Sequence, residues 1–296
     1  MEWWCAATEQ AWDWTPRFYL GAWLFSFSVL GAYLWAWRGR PDPGVDAERR
    51  RRQRRKLLSF LAGLAVFHAS VDWPIGTLGA GYLASVGMFR FVLITLVAAP
   101  LMLRGIPVWM ARRILPPGRA RGVAQVLARG LPALLVFNAI LLTTHAPAFT
   151  DPLLASPVGA MVMDLAWLAG GFVLWLPVYS PLPEVPRLAP PFAMAYLFAQ
   201  SVLPTIPASF LTFADFPLYA TYELAPRVGT IDPTLDQRNA GLIMKVLAGF
   251  LLWGRIAVLW FRWVASEERP DEVTAPDLDF DDVLDAEGMR PAPPGS

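Results

Sequence analysis

Apolar blocks of membrane-crossing length alternate with short polar connections along this chain. The blocks run from about Phe18 to Trp37, Leu57 to Trp73, Tyr82 to Leu103, Leu131 to His145, Val158 to Tyr179, Pro191 to Phe213 and Ala240 to Trp263. A hydrocarbon layer about 30 Å thick is crossed by a helix of about 20 residues. The fourth block is short and is lengthened by neutral neighbours. The pattern predicts an all-α fold, a polytopic bundle of seven transmembrane helices over residues 18–263. An N-terminal segment, 1–17, precedes it and a tail, 264–296, follows. Seven crossings place the termini on opposite sides.

Charge decides which side is which. Basic residues follow the first block (Arg38, Arg40, Arg49–Arg52, Arg54, Arg55, Lys56), the third (Arg104, Arg112, Arg113, Arg119, Arg121, Arg129) and the fifth (Arg187). The opposite connections carry only Arg227 and Arg238. Excess Lys and Arg marks the cytoplasmic side, so the expected topology is N-terminus outside and C-terminus in the cytoplasm. The N-terminal Trp3, Trp4, Trp12 and Trp14 suit an outer interfacial segment, and Pro107–Arg129 suits an amphipathic surface helix on the inner side. The run Arg49–Lys56 reads as a basic stop-transfer loop or, alternatively, a contact to anionic lipid. No cleavable signal is expected, since Met1-Glu2-Trp3-Trp4 lacks a basic n-region. The tail is rich in Asp, Glu and Pro and is expected to be disordered.

Composition agrees: 55% of the 296 residues are hydrophobic and 17% charged, against about 25% charged in soluble domains. One cysteine, Cys5, and two histidines, His68 and His145, leave no disulfide framework and little for a histidine-rich metal site. P-loop, GxSxG and HExxH signatures are missing, so an enzyme is not expected. The basic stretch lacks interleaved aromatics, which excludes a nucleic-acid partner and leaves membrane lipid as the evident one.

Charges inside spans are expensive and often functional. His68, Arg90, His145, Asp164, Lys245 and Arg255 fall within or at the end of a block. At about 1.5 Å per residue, Arg90, Asp164 and Lys245 sit at similar depths in the outer half, which suggests a buried charge cluster. Three readings stay open: a structural clasp between the third, fifth and seventh helices, a proton or ion relay, or a vestigial ligand site. Met88, Met161, Met163 and Met244 lie at a similar level, and thioethers suit Cu(I), although plain packing explains them too. His68 reads as a core histidine and Arg255 as a snorkelling side chain.

Several phrases together resemble one family. They are Trp12-Asp13-Trp14-Thr15-Pro16, Ala99-Pro100-Leu101-Met102-Leu103-Arg104-Gly105-Ile106-Pro107, Thr144-His145-Ala146-Pro147 with Asp151, Leu174-Trp175-Leu176-Pro177-Val178, and Phe216-Pro217-Leu218-Tyr219 with Asp236-Gln237 and Gly241-Leu242-Ile243-Met244. The chain is similar over nearly all of residues 12–268 to the multi-spanning CtaG family of cytochrome c oxidase assembly proteins. That resemblance implies copper-dependent maturation of haem–copper oxidase on the outer side of a bacterial inner membrane, with oxidase subunits as partners. It also implies a histidine pair in the third span and another in the fifth. Here those positions hold Gly87 and Phe91, and Ala160 and Asp164, and Lys245 replaces the tryptophan that usually follows Ile-Met. The usual copper ligands are therefore absent. Any residual copper would fall to His145, Met88, Met163 and Met244, with Cys5 as a further outer thiol. The remaining alternatives are an accessory subunit of another membrane complex and an ion or small-molecule transporter.

Overall fold

The computed structural model describes residues 3–39 and 47–267. The proline-rich acidic tail expected to be disordered begins at Glu267 and lies, apart from that residue, outside them. The described residues are all-helical, without strands. Twelve helices are numbered here: α1 Leu20–Arg38, α2 Ala47–Val71, α3 Ile75–Gly81, α4 Ala84–Arg104, α5 Val108–Ile114, α6 Arg119–Leu127, α7 Leu131–His145, α8 Pro147–Leu154, α9 Pro157–Tyr179, α10 Pro190–Phe213, α11 Ala220–Glu223 and α12 Pro233–Glu267. Five of them (α1, α4, α9, α10, α12) are long and apolar enough to cross a membrane alone. The number becomes seven if the bent pairs α2–α3, at 46°, and α6–α7, at 89°, each count as one span.

The differences from the expected elements have local causes. The basic run Arg49–Lys56 is not a loop but the opening of α2. Arg, Gln, Lys and Glu are good helix formers, and Arg52 pairs with Glu48 at 2.8 Å across one turn. The expected surface helix over Pro107–Arg129 is two helices. Pro116 and Pro117 cannot continue the first, and Gly118 turns the chain at φ 135°, a conformation natural to glycine. The last helix runs past Trp263 to Glu267.

The helix α4 is the hub, packed against α2, α3, α9 and α12. Small residues permit the close approaches, as is usual between membrane helices. A Cβ on Gly63 would lie 2.7 Å from the Met102 backbone, and one on Gly171 2.6 Å from the Ala99 side chain. A π-helical turn over Leu93–Ala98 interrupts α4. Ahead of it in the chain's hydrogen-bond ladder stands Pro100, which has no N–H to give. In the π register, the carbonyl left without its donor is that of Thr95. The Trp175 indole donates to it at 3.0 Å, so α9 supplies the bond that α4 lacks. A second π turn, Ile243–Leu247, interrupts α12.

On α1, Ser26 faces His68 Nδ1 at 3.0 Å, with the Trp23 ring edge-on to the imidazole. His68 Nε2 lies 3.5 Å from Asp72. This histidine is a packed link between α1 and α2, as its place in the sequence suggests.

Candidate functional site

The polar groups gather at the end of the bundle where α4, α9 and α12 begin. Its deepest part is an ion pair. Arg90 and Asp164 are both fully buried, and Arg90 Nη2 lies 2.7 Å from each carboxylate oxygen. Arg90 Nε donates to the Ser70 carbonyl at 2.9 Å. The Trp4 indole, also fully buried, donates to Asp164 Oδ2 at 2.9 Å. A buried carboxylate is tolerated where its oxygens are satisfied, and here they receive a guanidinium and an indole. Gly79 makes room for the arginine stem, since a Cβ there would clash with Arg90 Cδ.

The N-terminal segment therefore does not lie wholly along an interface. Trp14 is 67% exposed, but Trp4, Cys5 and Ala6 are buried. The indole N–H of Trp4 finds an acceptor in the core that lipid cannot offer, which is why it turns inward. Backbone bonds hold the segment there: Gly21 N–H donates to Trp3 O at 2.7 Å, and Ala7 N–H to Leu154 O at 2.9 Å. Cys5 Sγ donates to the Val71 carbonyl at 3.2 Å. Burial pushes the Cys5 thiol up to about 12.

Lys245 does not join the cluster. It is exposed on the outward face of α12, while Met244 beside it is buried. A helix advances about 100° per residue, so neighbours on α12 face opposite environments; depth was readable in the sequence and facing was not. Arg255 lies over the Tyr179 ring, 4.8 Å from its centroid, where a cation is attracted to the π face.

A second cluster surrounds His145. Its Nδ1 is 2.8 Å from the Leu141 carbonyl. The ring meets Phe91 edge-on at 4.7 Å and lies tilted against Trp167 at 5.9 Å. Trp167 donates to Thr144 Oγ1 at 3.0 Å. His145 Nε2 is buried, with no hydrogen-bond partner among the described residues. Met88, Met163 and Met244 are buried in the same core. Among the described residues, no group of three or more His, Cys, Asp and Glu is placed to hold a metal ion.

Over both clusters lies a polar cap built from the most distinctive phrases of the sequence. Asp236 accepts from Ala84 N–H at 2.6 Å and from the Ser85 hydroxyl, capping the start of α4. Gln237 accepts from Leu218 N–H at 2.6 Å and donates to Phe216 O at 3.1 Å. Asp151 accepts from Ala220 and Thr221 N–H at 3.2 and 3.0 Å, capping α11. Tyr219 donates to His145 O at 2.8 Å. Tyr222 donates to Gly79 O at 2.7 Å, and a Cβ on Gly87 would lie 2.7 Å from that same hydroxyl. The Asp–Gln and Pro–Leu–Tyr phrases thus fasten loops to helix starts. Trp4 is the functional-site residue that sequence reasoning assigned elsewhere. The available signal was an aromatic donor, upstream of the first span, in a chain with an isolated buried carboxylate.

One donor set can be tested against copper. At the four positions where the family resemblance implies imidazoles, the Tyr222 hydroxyl fills the space beside Gly87, Phe91 is an apolar ring, Ala160 is a methyl, and Asp164 is held by Arg90. The residues present do not fit a two-imidazole copper site.

The family model for the cytochrome c oxidase caa3 assembly factor matches residues 31–266. No curated protein and no solved structure matches the chain. With a match over most of its length and an all-helical bundle carrying five to seven candidate spans, the chain belongs to the cytochrome c oxidase caa3 assembly factor family.

Proposed function

We propose that this chain is a non-catalytic scaffold for assembly of a haem–copper oxidase in a bacterial cytoplasmic membrane, and that it works through helix contacts to oxidase subunits without a resident copper ion. The observation that carries this reading is the Arg90–Asp164–Trp4 clasp. A guanidinium takes up the carboxylate at one implied ligand position, and the Tyr222 hydroxyl closes the space at another. The ion pair ties α4 to α9 and the N-terminal segment, where a metal would otherwise link the helices. A transporter is less well supported, because Arg90 is enclosed and Lys245 faces outward, so the two do not line one path.

Purification of the full chain from native membranes tests the proposal. The expected result is co-purification of oxidase subunits with copper well below one equivalent. Recovery of subunits from a different complex instead would favour an accessory role there. A second reading rests on His145 Nε2, a buried ring nitrogen without a partner among the described residues. Together with thioethers from Met88, Met163 and Met244 it would form a soft donor set suited to Cu(I). Equimolar copper in the purified chain, lost in His145→Ala, would establish that reading and overturn the metal-free one.

A further inference from the structure

Lys245 poses a problem that the rest of the fold does not solve. Asp236 sits level with the start of α4, because it caps Ala84. Lys245 follows nine residues later on the same helix, or roughly 13 Å further in at about 1.5 Å per residue. The α4 span of 21 residues is roughly 30 Å long on the same rise. Lys245 therefore stands near the middle of the bilayer. A lysine stem reaches about 6 Å, too little to carry the ammonium to either water layer.

The side chain is exposed, and its surroundings are apolar. Leu242, Val246, Phe250 and Trp253 are each about half exposed or more. Gly249, one turn along, has nothing within 4 Å of where its Cβ would be, so another helix backbone can approach closely there. Lys245 has no hydrogen bond, ion pair or ring contact among the described residues. An ammonium facing lipid at mid-depth is unfavourable by about 3 kcal/mol on insertion scales, and a carboxylate partner removes that penalty.

We propose that the Lys245 face of α12 docks a transmembrane helix of another membrane protein, one carrying an Asp or Glu at mid-membrane depth. Charge complementarity selects the occupant. A second copy of this chain does not supply it: among the described residues, Asp164, the carboxylate at comparable depth, is fully buried and held by Arg90, and Asp236, near the start of α12, is buried in the cap on α4. The proposal does not depend on which complex the partner belongs to, so it stands or falls apart from the oxidase reading.

The test uses the full chain in native membranes with a photo-reactive phenylalanine analogue at Phe250, and at Leu24 on α1 as a control face. The expected result is a protein adduct from Phe250 whose captured helix contains Asp or Glu. It should weaken about tenfold or more in Lys245→Met, as when one member of a desolvated ion pair is removed, and persist in Lys245→Arg. Labelling from Leu24 should not change in either variant. Exchanging the charges, with Lys245→Asp and the captured carboxylate replaced by lysine, should restore the adduct. Lipid adducts alone, a captured second copy, a captured helix without a carboxylate, or an adduct indifferent to Lys245→Met would each overturn the proposal.

Discussion

The helices α4 and α12 begin side by side, tied by the Asp236 cap, and each is interrupted by a π turn at nearly the same distance in. Each carries a cation within its span. Their surroundings differ: 72% of the apolar window of α4 is buried, against 17% of that of α12. Arg90 on α4 is enclosed and paired with Asp164, whereas Lys245 on α12 is exposed. A charge in a membrane span needs a counter-charge; α4 finds one within the chain, and the Lys245 proposal places the other on a partner. The contrast predicts opposite responses to removal of each charge, in stability for one and in association for the other.

The largest effect is expected at the clasp. Asp164→Asn leaves the Arg90 guanidinium buried without its anion, and breaking such a pair costs about 3–5 kcal/mol. A large drop in melting temperature of the purified chain is expected. Arg90→Leu combined with Asp164→Leu should recover much of it, because a well-packed apolar replacement of a buried pair is often neutral or better. A double variant no more stable than Asp164→Asn would show that the pair is not the unit of stability.

The next effect concerns the third member. Trp4→Phe keeps an aromatic side chain, smaller than the indole, and deletes the N–H that reaches Asp164. The loss of a hydrogen bond to a charged group is about 1.5–3 kcal/mol. Limited proteolysis of the N-terminal segment should speed up along with the fall in melting temperature. A variant with wild-type melting and proteolysis would return the segment to the surface role that its tryptophans suggested.

A comparable or smaller effect is expected where a histidine would stand in the resembling family. Gly87→Ala brings a methyl within 2.7 Å of the Tyr222 hydroxyl, which is anchored on Gly79 O. Overpacking of this kind destabilises by about 1–3 kcal/mol. Tyr222→Phe removes the obstructing oxygen, so Gly87→Ala should cost less in that background, as read by a double-variant cycle of thermal melts. Additive effects would mean that the hydroxyl does not govern the space.

Much of the architecture was legible in the sequence because a bilayer imposes length and polarity on every span. The seven blocks map onto the long helices and the two bent pairs. The bends follow from chemistry also present in the sequence, Pro74 between α2 and α3, and Gly130 at φ 89° before α7. Depth marked Arg90, Asp164 and Lys245 as candidates for one cluster but left open whether Asp164 pairs with Arg90, Lys245 or both. What depth cannot give is azimuth. Lys245 matches Asp164 in height but occupies the outward side of its helix, one residue from the buried Met244. The role of Trp4 was hidden for a related reason. A tryptophan before a first span suits an interface, and only the buried carboxylate on α9, which accepts its N–H, draws it inward. The Asp236–Gln237 and Pro217–Leu218–Tyr219 phrases were the most recognisable of all, and they form a cap, not a ligand set.

The smallest effect expected is the one that separates the two cations most sharply. Lys245→Met removes a charge that no described residue balances. Substitutions away from the core usually shift stability by no more than about 0.5 kcal/mol, so the purified variant should melt within a degree or two of wild type. Asp164→Asn, at matched depth, should not. If Lys245→Met instead destabilised the isolated chain as strongly, Lys245 would be part of the internal clasp, and the exposed face of α12 would lose its claim to a partner. If melting is unchanged while the Phe250 adduct is lost, the same kind of residue at the same level serves folding on one helix and association on the other.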